Sequence, residues 1–347
     1  MGLKILFSSR SNLHQQVGGD TLHLEQTAQA LEKIGHSVEI YKKGIDPQDF
    51  DLIHHFNLGR PYALLKMMPL QKPLFISSIY VDYRAADLRV SKIRRILSLA
   101  LGSDAMEYLK LMARVIKGKE GWPGWFYFFH GQRASVLKVL KQTRKLILAS
   151  QAEAQLIKEH YGFDGPIEVL KLGLEHLPLA PSQDKSGVLC IARFENLKNQ
   201  LALIEASQNQ DWELNLIGEA SPGQEDYRQK CLDMAGAEVH FHNRKSLAEC
   251  LEFYRRSKVH VLPSFYESTG LVSLEALASG CQIVVSDLPI QRELFGERAF
   301  YCDPTDPSSI QKAIASALAA NTDHSEWVRA NFSWQKAAQA LERIYQD

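Results

Sequence analysis

The chain has 347 residues, 45% of them hydrophobic, and its 40 basic and 40 acidic side chains cancel to a net charge of +0. That length suits two domains with separate cores, and the balanced charge excludes an overall nucleic-acid footprint or an acidic tail. Cys190, Cys231, Cys250, Cys281 and Cys302 are odd in number and form no C-x-x-C pair, which points to reduced thiols rather than a disulfide framework. No apolar run approaches the ~20 residues of a membrane span. The opening MGLKILFSS turns polar too soon for a signal peptide, and Leu6 stands where a myristoylation site wants Ser or Thr. A cytoplasmic chain is expected.

In chain order, KILFSS reads as a buried strand, followed by a polar loop to Gly18-Gly19-Asp20. A helix then carries Leu24, Ala28, Leu31 and Ile34 on one face and stops at Gly35, and SVEIY resumes as a strand. This is a βαβ unit of a parallel sheet. Paired glycines before a helix let backbone N–H groups approach a phosphate. FDLIHHFN and PLFISSIYVDY give the third and fourth strands, with His54 and His55 near the end of one and Asp82 near the end of the other. Ligands of open α/β sheets sit at such carboxyl ends, so the histidines are either a satisfied strand-end pair or part of a site. No carboxylate or cysteine stands at metal-ligand spacing beside them.

Between Arg84 and Lys145 fourteen Lys and Arg face four acids, an excess of ten positive charges, interleaved with apolar residues and the cluster WPGWFYFF. Basic helices with an apolar face and a Trp/Phe-rich turn fit an anionic membrane surface. They equally fit core-facing helices with solvated basic faces. No nucleic-acid-binding module is present.

KLILAS is a further strand and QAEAQLIKEHYG a helix ending at Gly162. KLGLEHLPLAPSQDKSG, rich in Pro, Gly and Ser, reads as a linker. GVLCIAR starts a second βα series, with Arg193 and Lys198 in its strand-to-helix loop. WELNLIG leads to Gly218, and EVHFHNR is followed by the capping box Ser246-Leu-Ala-Glu249. Asp306-Pro307 reads as N-cap and first residue of a helix. FSWQKAAQALERIYQD is the terminal helix.

The organising stretch is VHVLPSFYESTGLVSLEALASGCQIVVSD. A strand ends at Pro263, a polar loop follows, and Leu271, Leu274 and Ala278 recur at helical spacing up to Gly280, a C-cap position. Glu267 precedes the helix and Glu275 lies about two turns in, on the order of 10 Å away. By themselves the two are a loop acid and a helix-surface acid.

PSFYESTGLVSLEALASG resembles the donor-site signature of the family 4 retaining glycosyltransferases, which have the GT-B fold. Their pattern is Glu, seven residues, Glu, commonly with Gly-Phe-Gly after the first acid. Here Ser268-Thr269-Gly270 keeps only the last glycine, a departure that bears on donor sugar identity. The resemblance implies an α/β chain of two Rossmann-like doubly wound domains facing a central cleft. Residues 1–172 would bind acceptor, 173–325 the nucleotide sugar, and 326–347 would cross back to the first domain.

It further implies that Arg193 and Lys198 grip the donor diphosphate, Glu267 holds sugar hydroxyls and Glu275 the ribose. Ser268, Thr269, Gly270 and Leu271 would line the donor. Gly218 and the backbone near Phe241, His242 and Asn243 would receive the base, and Gly18 and Gly19 would reach the donor phosphates. On the acceptor side the strand ends offer His55, Tyr80 and Asp82; relatives often carry a donor-contacting histidine where Tyr80-Val81-Asp82 stands here, and Asp82 is the candidate for orienting or deprotonating the acceptor hydroxyl. The implied donor is a UDP- or GDP-hexose and the acceptor a glycan or lipid-linked glycan, with no cofactor, no metal and no nucleic acid. A GT-B epimerase and a non-catalytic two-lobed sugar-binding protein are the alternatives.

Overall fold

The computed structural model describes residues 2–10, 13, 19–68, 71–81, 92–118, 120–174 and 184–347; the side chains of 92–101 lie outside that description. The described residues of Met1–Arg84, Ser91–Glu175 and Phe332–Asp347 form one compact unit, and those of His176–Asn331 a second.

In the first unit the apolar runs become β1 (Lys4–Ser8), β2 (Ser37–Ile40), β3 (Leu52–Phe56), β4 (Leu74–Ser77), β5 (Thr143–Leu148) and β6 (Ile167–Val169), all parallel in the order β2-β1-β3-β4-β5-β6. Side chains alternate across a strand, so β1 sends Ile5 and Phe7 to one face and Leu6 to the other. The first face is covered by Leu24 and Leu31 of the helix Gly19–Lys33 and by Leu341, Ile344 and Tyr345 of the terminal helix Trp334–Gln346. The second is covered by Val136 and Val139 of the helix Trp125–Leu140 and Ile157 of the helix Gln151–Tyr161. Gly173 lets the terminal helix start where it does, because a Cβ there would stand 2.2 Å from the Trp334 nitrogen. Ser150 caps the helix Gln151–Tyr161 and Gly162, in the left-handed region, closes it.

The second unit carries β7 (Ser186–Ile191), β8 (Leu214–Ile217), β9 (Val239–His242), β10 (Ser257–Leu262), β11 (Gln282–Ser286) and β12 (Phe300–Cys302), again all parallel, in the order β12-β11-β10-β7-β8-β9. Successive strands step outward from β7 on one side and from β10 on the other. The β7/β10 boundary is therefore the topological switch point, where open α/β sheets bind ligands. This is the dinucleotide-fold order. The first sheet instead follows the other doubly wound order, with its switch at β1/β3, so the two halves are not copies of one topology.

The capping box at Ser246 and Glu249 and the Asp306 N-cap before Pro307 form as the sequence predicts. The helix after the glutamate loop spans Leu271–Ala278, so Glu275 is its fifth residue, little more than one turn in rather than about two. All five cysteines are free and buried. No helix among the described residues is long and apolar enough to cross a membrane.

Candidate donor site

Two loops leave the switch point of the second sheet and are tied together by backbone and side-chain hydrogen bonds. After β7 the chain makes the short 3-10 turn Asn196–Lys198 and passes through Asn199 in the left-handed region (φ 59). The Asn199 amide donates to the carbonyls of Pro263 (3.2 Å) and Pro304 (2.7 Å). After β10, Pro263 ends the ladder, and the Phe265 N–H donates to the Leu197 carbonyl at 2.9 Å. This pairing brings Lys198 Nζ to 2.5 Å from Glu267 Oε2, with the side chains 16% and 17% exposed.

Gly270 then turns the chain into the helix. Its φ is +56, and a Cβ would meet the Phe295 ring at 3.2 Å, so both backbone and space favour glycine. Its carbonyl accepts from the Ser273 and Leu274 N–H groups, while the Leu271 and Val272 N–H groups ahead of them have no acceptor one turn back in the helix. That N-terminus, with Ser268, Thr269 and Leu271 beside it, can receive an anion. One turn on, Glu275 Oε2 accepts from the Tyr254 hydroxyl at 3.1 Å.

Arg193, also at the β7 exit, is 56% exposed and points to Glu195 at 3.6 Å; Glu195 in turn accepts from Ser221 at 2.8 Å. Gln200 fixes the Arg193 carbonyl at 2.8 Å. At Gly218 the exits of β7 and β8 run so close that a Cβ would stand 2.0 Å from the Ala192 carbonyl oxygen. The Gly218 N–H donates to the His242 carbonyl at 3.0 Å, the Phe241 ring stacks on Phe194 (centroids 5.9 Å), and His242 Nε2 donates to Asn215 at 2.8 Å. Burial and the neighbouring Lys245 and His240 lower the His242 pKa. The sequence-predicted donor residues of the second unit thus gather at the carboxyl ends of β7 to β10.

The first unit departs from expectation. His55 is fully buried: its Nε2–H donates to the Asn57 carbonyl (3.2 Å) and its Nδ1 accepts from Ser8 (3.3 Å). Burial holds its pKa down to about 4. It is the satisfied strand-end histidine rather than an acceptor contact. His54 is likewise committed, to Tyr345 (2.6 Å) and Ser77 (2.9 Å). Tyr80 is buried, with its hydroxyl against His160 Nδ1 at 2.8 Å and its N–H donated to Glu153 at 3.0 Å, so it braces the helix Gln151–Tyr161. Gly19 is the first residue of the helix Gly19–Lys33, and nothing lies within 4 Å of where its Cβ would be. Gly18 and Asp82 lie outside the described residues.

Sequence reasoning missed Tyr254, whose only signal is its place in the last turn of the helix Leu247–Arg256 before β10, and Asn199, which follows Lys198 directly and has the residue type suited to a left-handed backbone.

Residues 176–334 match the family model described as glycosyl transferases group 1. A D-inositol 3-phosphate glycosyltransferase of Paenarthrobacter aurescens is 28% identical over 173 residues, 44% of this chain and 42% of that protein. The chain therefore spans less than half the length of that curated relative. Among solved structures, sucrose-phosphate synthase from Thermosynechococcus elongatus superposes with a TM-score of 0.77 at 16% identity, covering 99% of this chain and 98% of that one. Anabaena Alr3699/HepE, solved in complex with UDP and glucose, gives 0.72 at 16% identity, covering 99% and 100%. The fold is GT-B, as the resemblance implies, and the match to the glycosyl transferases group 1 model falls on the second unit and the start of the terminal helix.

Proposed function

We propose that this chain is a family 4-type glycosyltransferase, moving a hexose-type sugar from a UDP- or GDP-sugar to a glycan or glycolipid hydroxyl in cell-surface polysaccharide synthesis. The observation that carries this reading is the Lys198–Glu267 pair at the β7/β10 switch, with Glu275 one turn into the helix that follows. A cation beside a sugar-binding acid matches a donor whose diphosphate leaves as its sugar departs. The matched relative is named a glycosyltransferase, and a fold neighbour is solved with UDP and glucose.

Charge grows on the leaving diphosphate as the anomeric bond breaks. Arg193, Lys198 and the N–H groups at Leu271 would stabilise it there, doing by fixed protein charge what a divalent ion does elsewhere. Glu267 would hold sugar hydroxyls and favour the positive charge developing at the anomeric carbon. Glu275 would accept from the ribose, and the backbone at Phe241–His242 would receive the base. With no carboxylate nucleophile assigned, the leaving phosphate takes the proton of the acceptor hydroxyl on the same face, and the anomeric configuration is retained.

A cluster of exposed aromatic side chains in the first unit supports peripheral contact with an anionic bilayer. Trp125 (67%) and Phe129 (71%) are its most exposed members and stack on each other, while Trp122 and Phe128 meet the Trp125 ring edge-on. Lys138 Nζ lies 3.9 Å from the centroid of the Phe126 ring, next to Trp125 in the chain. Aromatic rings at headgroup level beside lysines are the composition of an interfacial anchor.

Incubation with UDP- and GDP-hexoses, with and without a glycolipid extract and with chelator present, tests the reading. Transfer releases nucleoside diphosphate only with acceptor and yields a retained anomer by NMR. An epimerase isomerises the sugar without acceptor, and a binding protein leaves it intact.

A further inference from the structure

A second cluster of polar groups sits at the switch point of the first sheet, outside the donor site. The chain leaves β3 through Asn57, in the left-handed region (φ 84), and reaches Arg60 and then Tyr62, the first residue of the helix Tyr62–Leu65. Tyr62 is 1% exposed and packs edge-on to Tyr127, centroids 6.0 Å apart. The Tyr127 hydroxyl donates to Gln132 (2.8 Å), whose amide donates to the Gly59 carbonyl (3.1 Å), fixing the loop. The helix Lys92–Ile116 brings Arg114 to the same place, one turn beyond Leu111 of that aromatic cluster.

Among the described residues, Arg114 Nε and Nη2 are buried and have no hydrogen-bond partner, and the Tyr62 hydroxyl faces Glu120. The charges of Arg60, Glu107 and Glu120 act on Arg114, and those of Arg60, Glu120 and Arg114 on Tyr62, which places these groups in one neighbourhood. Glu107 is paired with Lys110 at 3.0 Å, and Lys66 lies near enough to Glu120 to feel its charge. Among the described residues, Arg60, Lys66, Lys110 and Arg114 thus outnumber the carboxylates Glu107 and Glu120.

A guanidinium keeps its charge at any working pH. Burying it without an acceptor is costly, and folded chains seldom do so without a reason. Nε and Nη2 share one edge of the guanidinium, the fork that matches two oxygens of a phosphate or carboxylate. The cluster also stands where an open α/β sheet takes its ligand, at the carboxyl end of β3 beside the β1/β3 switch.

We propose that Arg60, Arg114 and Tyr62 form a binding site for an anionic group, a phosphate monoester or a carboxylate, carried by the acceptor. Only the word acceptor rests on the transferase reading; the anion site stands on the unpartnered edge of the Arg114 guanidinium.

The test uses the full chain with Arg193→Ala and Lys198→Ala, which silences the diphosphate loop. Glycerol 3-phosphate and glucuronate are the two probes, read by thermal melting and equilibrium dialysis. At least one probe raises the melting temperature, and which one does so identifies the anion. Adding Arg114→Met weakens that probe at least tenfold. Without probe, Arg114→Met melts higher than its parent, because an unpaired buried charge has been removed. Three results would each overturn the proposal: stabilisation by neither probe, undiminished binding in Arg114→Met, or a lower melting temperature for that variant. UDP affinity, measured separately in the otherwise native chain, is unchanged by Arg114→Met, so failure of the donor reading is scored apart from failure of this one.

Discussion

Lys198 Nζ lies 2.5 Å from Glu267 Oε2, although 69 residues separate them and the sequence assigns them to different ends of a donor. A diphosphate arriving beside Lys198 competes with Glu267 for the ammonium, and the freed carboxylate is then available to sugar hydroxyls. Lys198→Ala is expected to lower turnover by about 10²-fold or more, the usual loss for a preorganised charge stabiliser. Arg193→Ala should do the same, with the fold intact because both are loop residues. In urea titrations the Lys198→Ala/Glu267→Ala double variant should be more stable than the sum of the single losses, since each single change strands a half-buried charge. Near-normal turnover in the Arg193→Ala/Lys198→Ala variant would remove both from the site.

Glu275 and Tyr254 divide differently. Glu275→Ala should weaken donor binding more than turnover, whereas Glu267→Ala should lower turnover more than binding. Tyr254 acts through Glu275, holding one carboxylate oxygen at 3.1 Å. Tyr254→Phe should cost about 1 kcal/mol, a several-fold rise in donor Kd. Calorimetric titration with UDP and GDP separates the effects; an unaltered Kd in Tyr254→Phe would show that the hydroxyl does not position the acid.

Acid should weaken the first unit through its buried histidines. Burial lowers the pKa of His55 and His23 from 6.5 to about 4. Between those pH values the unfolded chain binds the proton and the folded chain does not. Stability is therefore full above pH 6.5, falls as pH drops towards 4, and levels off below, by at most about 3 kcal/mol per histidine. His55→Gln should reduce the slope of unfolding free energy against pH by up to one proton in this window. An unchanged slope would mean that His55 is charged when folded.

The aromatic cluster gives a surface prediction. Vesicles containing anionic lipid should sediment with the chain more than neutral vesicles do, and added salt should reverse the binding. Trp125→Ser with Phe129→Ser should abolish it at any salt concentration. Equal sedimentation with both lipids, or binding unaffected by the two substitutions, argues for an acceptor in solution.

Most of the sheet was legible because each parallel strand is a continuous apolar run bounded by turn residues, as in FDLIHHFN and QIVVSD. β6 and β12 escaped notice; at three residues each, they are too short for a pattern. The donor motif was legible because its loop and helix are contiguous. The Lys198–Glu267 contact was not, since it depends on two loops meeting across the sheet. His55 and Tyr80 misled because a strand end can turn a polar side chain inward as easily as outward, and here Ser8, Asn57 and His160 supply the inward partners. Arg114 carried no signal at all, one cation among fourteen in a basic segment.

The most direct test of the donor site is thermal melting of the native chain with UDP and GDP in the presence of chelator. The account predicts that at least one raises the melting temperature in a concentration-dependent way, and that Lys198→Ala and Glu275→Ala each diminish the rise. No shift with either nucleotide, a shift that requires a divalent metal, or equal shifts in the variants would contradict it.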